Sequence, residues 1–110
     1  MTTLKNQQCE PCHNDAPPLG RDEALKHLES LEGWRLESLN GTDRLTKTYK
    51  FSQYTKGLDF AVSVGAIAEE VGHHPVMTIG WCEVVVEWWT HNINGLHLND
   101  FIMAARCDDL

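Results

Sequence analysis

The dipeptide Asn40-Gly41 limits the fold of this 110-residue chain more than any other feature. Both residues tolerate positive φ, which a two-residue turn between antiparallel strands requires. Before it, Trp34 and Leu36 share one face. After it, Leu45, Tyr49 and Phe51 share a face that Lys47 interrupts. This pattern predicts two antiparallel strands joined by a hairpin. Their imperfect alternation suits a sheet with one face covered and the other partly open.

Helical periodicity flanks the hairpin. Ala24, Leu25, Leu28 and Leu31 recur at helical spacing and Gly33 ends the run, so a first helix is expected over about 21–31. Phe60, Val64, Ile67 and Val71 form a stripe that Ala61 and Ala68 widen. Ser52 is a candidate N-cap, Gly57 and Gly65 leave room for a close neighbour, and Gly72 stops the run. The long helix is therefore expected over about 53–71. Val76–Ile79 predicts a short strand. From Cys82 a second strand puts Val84, Val86 and Trp88 on one side and Glu83, Val85, Glu87 and Trp89 on the other. Val85 and Trp89 share a glutamate-bearing face, so they are exposed unless an interface or a ligand covers them. After the Asn94-Gly95 turn, Leu98, Phe101, Ile102 and Ala105 predict a last helix over about 98–107. The order α-β-β-α-β-β-α, with hairpin-joined strands, gives a two-layer α+β domain: a four-stranded antiparallel sheet with three helices on one face. Residues 1–20 read as an irregular N-terminal arm and residues 21–110 as one domain.

Composition excludes several classes of function. The net charge of −7 opposes binding of nucleic acid or of an anionic membrane surface. No apolar run approaches the length of a membrane span. The N-terminal "MTTLKNQQCEPCHNDAPP" lacks the apolar segment of a signal peptide. A cytoplasmic protein is expected, with Cys9, Cys12, Cys82 and Cys107 reduced. "CEPCH" at 9–13 has the spacing of c-type haem attachment, but that chemistry needs export, and the segment reads as a flexible or docked tail. No phosphate loop or nucleotide fingerprint is present.

The chemistry-bearing residues gather in two stretches. In "EEVGHHPVMTIGW" the adjacent His73 and His74 follow the long helix and precede Pro75, which favours extended backbone at His74. Adjacent rings on extended backbone point opposite ways. Histidine suits proton transfer near neutral pH, and it also suits a loop capping a helix end. In "THNINGLHLND", His91 follows a strand, His97 precedes the last helix, and Asp100 lies in that helix's first turn. Asp100 could orient an imidazole or simply favour the helix start. His73, His74, His91, His97 and Asp100 would supply enough ligands for zinc. They lack the i, i+4 pairing of a metalloprotease helix, and no metal is expected.

"EEVGHHP" followed by "VVEWWTHNINGLHLNDFIMAA" resembles the pterin-4a-carbinolamine dehydratase family, over roughly Leu25 to Ala105. The shared motif joins an acidic residue, two or three spacers and His73-His74-Pro75 to Thr90-His91, Gly95-Leu96, Asp100 and Ala104. The resemblance implies dehydration of 4a-hydroxytetrahydropterin to quinonoid dihydropterin, which recycles the cofactor of aromatic amino acid hydroxylases. It implies the same four-stranded fold, a homodimer or homotetramer, and neither metal nor bound cofactor. Catalytic roles would fall to His73, His74 and His91, with Asp100 as the matching acid. Trp81, Pro75 and Thr90 would contact the pterin. Relatives of this kind can also act without catalysis, as dimerisation partners or assembly factors, and a fold alone does not choose between these roles.

Overall fold

A computed structural model describes residues 3–9 and 17–110. Seven main elements follow in the expected order: α1 (Arg21–Leu28), β1 (Arg35–Leu39), β2 (Thr42–Lys50), α2 (Tyr54–Val71), β3 (Val76–Ile79), β4 (Glu83–Trp88) and α3 (Leu98–Asp108). Short 3-10 turns occupy Leu4–Asn6 and His91–Ile93. The four strands form one antiparallel sheet in the order β1-β2-β4-β3, and the fold is α+β.

The hairpin forms where the Asn-Gly pair places it. Asn40 has φ 53° and Gly41 φ 81°, so both turn residues are left-handed and match the strand twist. Across the sheet Leu45 pairs with Trp88, Lys47 with Val86 and Tyr49 with Val84, while Met77 pairs with Val86 from the other side. Leu45, Val84, Val86 and Trp88 are wholly buried. They meet Val64, Ala61 and Ala68 of α2 and Phe101, Met103 and Ala104 of α3 in a single core. Truncating one of these large side chains to alanine costs about 2–5 kcal/mol.

Lys47 lies in this row, yet its charge is satisfied. Its ammonium donates to Asp108 Oδ1 at 2.8 Å and to the Glu32 carbonyl at 3.0 Å. Trp34 Nε1 and the Tyr49 hydroxyl donate to the same carboxylate, so Asp108 fastens the end of α3 to the sheet. Burial, and then the hydrogen bond and charge of Asp108, push the Tyr49 phenol well above its usual range. Burial likewise pushes the Cys107 thiol up to about 12, which leaves it inert beneath Trp88.

Several local expectations shift. The first helix ends at Leu28, not Leu31, because the Ser30 and Leu31 amides turn back to the His27 and Leu28 carbonyls. Leu31 still packs on the core. Gln53, not Ser52, occupies the N-cap of α2, and its side chain makes no capping bond. Gly57 does meet a close neighbour: a Cβ there would lie 3.4 Å from Val84. Gly65 faces open space. Within the arm, Leu4 and Cys9 pack on the core, and Arg106 donates to the Lys5 and Gln7 carbonyls. Cys12 and His13 of the "CEPCH" motif lie outside the described residues. Among the described residues, no helix is long and apolar enough to cross a membrane.

Candidate functional site

The site is built at the end of α2. Gly72 adopts the left-handed conformation with φ 70°. The His73 amide then reaches the Ala68 carbonyl at 3.2 Å, and the Gly72 amide reaches that of Glu69 at 3.3 Å. These paired bonds are a Schellman ending, and they fix the backbone of His73. Half-buried Pro75 keeps the chain extended into β3.

The two rings diverge as extended backbone demands. His73 turns inward, with its side chain 14% exposed, and packs 5.4 Å from the Trp88 ring. Its Nε2 lies 2.6 Å from Asp100 Oδ1. His74 turns outward, with its side chain 60% exposed, and its Nε2 lies 3.0 Å from Glu69 Oε1 on the last turn of α2.

Asp100 is the hub. Its carboxylate is wholly buried and accepts from His73, from the Thr90 hydroxyl at 2.8 Å and from the His97 amide at 3.0 Å. A buried carboxylate is tolerable only with such donors, and here both oxygens are used. With Nε2–H donating to Asp100, Nδ1 is the His73 nitrogen left to exchange a proton. Thr90, expected at the substrate, thus spends its hydroxyl on Asp100 and is itself buried.

His97 is the N-cap of α3. Its Nδ1 accepts from the Asn99 amide at 3.0 Å while Asp100 accepts from the His97 amide, a reciprocal cap. That geometry needs the His97 proton on Nε2. Asp100 thus sits in the first turn of α3 and also meets the His73 imidazole.

His91 follows Thr90 at the same end of β4. Its exposed ring lies 4.3 Å from the Trp89 ring, tilted by 38°. Trp89 is only 9% exposed: it is covered from within the chain, joining the buried core cluster, with the Arg44 guanidinium 3.9 Å from its ring centre. Thr90 and Gly95 exchange backbone hydrogen bonds that close the intervening loop, and Leu19 donates to the Leu96 carbonyl from outside it. Gly95 has to be glycine there: a Cβ would stand 2.6 Å from Pro18.

Trp81 is not brought to this group. It occupies the β3–β4 turn, 82% exposed, at the far end of β3 from His73. The strand alone separates the two ends by about 10 Å. Among the described residues, no three His, Cys, Asp or Glu side chains gather as a metal site. Arg44 was missed in the sequence, because its place depends on cross-strand register. Of the acidic residues before the histidines, Glu69 is the one that meets His74.

A family model described as pterin 4 alpha carbinolamine dehydratase matches residues 17–110. A relative from Saccharophagus degradans is 46% identical over 110 residues, covering 100% of this chain and 97% of its own. One from Chlorobaculum tepidum is 43% identical, covering 100% of this chain and 99% of its own. Both carry the provisional name pterin-4-alpha-carbinolamine dehydratase. The crystal structure of a transcriptional coactivator/pterin dehydratase from Brucella melitensis superposes with a TM-score of 0.75 at 27% identity, covering 84% of this chain and 96% of that one. A pterin dehydratase-like protein described as a RuBisCO assembly factor in the alpha-carboxysome shares the fold, with a TM-score of 0.60 at 24% identity over 71% of this chain and 88% of its own. The chain belongs to the pterin 4 alpha carbinolamine dehydratase family.

Proposed function

We propose that the protein dehydrates 4a-hydroxytetrahydropterin to quinonoid dihydropterin and water, and so recycles the pterin cofactor of an aromatic amino acid hydroxylase. The observation that carries this reading is the 2.6 Å contact between His73 and the buried Asp100, because it prepares one imidazole for proton exchange. Loss of the 4a hydroxyl needs a proton on the departing oxygen and removal of the proton on N5, whose electron pair forms the new double bond. Histidines suit both transfers. His74 is the proposed acid for the hydroxyl, since it is the solvent-facing ring of the pair and Glu69 orients it. His73 and His91 bind the pterin and share proton transfer. Asp100 holds His73, and Thr90 acts through Asp100. Pro75, next to His74, is the residue proposed to line the bound ring. Trp81 would reach the pterin only from beyond the far end of β3.

The partner expected besides the pterin is a second copy of the chain, as a homodimer or homotetramer, and the expected compartment is the cytoplasm. Stopped-flow decay of synthetic 4a-hydroxytetrahydropterin, with and without the protein, tests the reading. Acceleration proportional to protein concentration supports it. A folded protein that leaves the decay unchanged moves the assignment to a non-catalytic assembly or dimerisation role.

A further inference from the structure

Arg44 stands on β2, across from Glu37 and beside Glu87 on the sheet face away from the helices. An arginine between two glutamates would ordinarily make a forked carboxylate pair. Here its closest approach to Glu87 is 3.8 Å, too long for a hydrogen bond. Its Nε is buried without a hydrogen-bond partner, which buried donors rarely are. The guanidinium instead lies 3.9 Å from the Trp89 ring centre, with its side chain only 17% exposed. It keeps only a long ion pair with Glu87 and lies over the indole instead.

Trp89 in turn holds the His91 ring at 4.3 Å. The backbone of His91 is anchored separately, because its neighbour Thr90 is tied to Asp100 and to Gly95. The chain thus places His91 twice: by its backbone through Asp100, and by its ring through Trp89. Only the second attachment depends on Arg44.

We infer that Arg44 is a positioning residue, which fixes Trp89 as a platform and thereby sets the orientation of the His91 imidazole toward the pterin. This rests on the dehydratase reading for its catalytic consequence, but not for the contact itself. A planar guanidinium can lie flat on an indole and stay charged, whereas a lysine keeps the charge without the plane.

The test compares wild type with Arg44→Lys, Arg44→Gln and Trp89→Leu, each checked for folding by circular dichroism. Two readouts are taken: the ring-proton NMR shifts of His91, and kcat and KM for dehydration. Trp89→Leu sets the shift of a His91 ring with no indole beside it. Both Arg44 variants are expected to move the His91 resonances toward that reference. They are expected to lower kcat by about 10- to 100-fold, the scale of a misplaced catalytic group, with KM changed much less. Unmoved His91 resonances in Arg44→Gln would overturn the inference, as would full kcat in a variant whose His91 shift is lost. If wild type shows no dehydration, the dehydratase reading fails while the NMR arm still decides the contact.

Discussion

His73 and Asp100 meet at 2.6 Å across the gap between the end of α2 and the first turn of α3. The contact joins the two stretches that carry the family motif. It also couples the site to the fold, because the same carboxylate caps α3 and holds Thr90.

Asp100→Asn should therefore harm both stability and turnover. An amide offers one acceptor oxygen in place of two, and its NH2 group must face at least one donor. Leaving such a buried group mispaired costs about 1–3 kcal/mol. We expect a lower midpoint in urea unfolding and a fall in kcat of about 100-fold, the worth of general acid–base help. A variant with wild-type stability and turnover would contradict the hub role.

His74→Ala should separate function from stability. The ring is largely exposed, so its removal should change unfolding free energy by no more than about 0.5 kcal/mol. We expect kcat to drop by about 100-fold or more in the same protein. Unchanged kcat would transfer the acid's role to His73.

Tyr49 predicts how stability responds to alkali. Its phenol is raised above the usual value of about 10 by burial and then by Asp108. The folded protein therefore holds this proton where the unfolded chain gives it up. The contribution is complete below the unfolded value and declines as pH rises above it. Urea midpoints measured from pH 9 to 11 should fall more steeply for wild type than for Tyr49→Phe. Parallel curves would contradict the assignment.

Two glycines should respond in opposite directions to alanine. Gly65 lies within α2 and faces open space, so Gly65→Ala should stabilise by about 0.5–1 kcal/mol. At Gly95 the added carbon collides with Pro18, and Gly95→Ala should destabilise by about 1–3 kcal/mol. Thermal unfolding of both variants checks the contrast.

Local signals carried much of the fold into the sequence. Asn40-Gly41 dictates its turn through backbone conformation alone, and Gly72 ends α2 for the same reason. The alternation of Val84, Val86 and Trp88 marks the buried face of β4. Sheet order is different, because the pairing of β2 with β4 joins strands far apart in the chain. The covering of Trp89 was hidden likewise: Arg44 reaches it only through that pairing. The histidines were legible as a motif, but their division of labour was not. Whether a ring turns inward to Asp100 or outward to Glu69 depends on how α2 ends and where α3 begins. Trp81 shows the limit of motif reading, since position in sequence did not reveal that it sits at the far end of β3 from His73.

The most direct measurement is the initial rate of 4a-hydroxytetrahydropterin loss at increasing concentrations of wild type and His74→Ala in one stopped-flow series. The account predicts a rate that rises linearly with wild-type protein and a slope at least about 100-fold smaller for the variant. A wild-type slope indistinguishable from zero, with the protein shown to be folded, would contradict it.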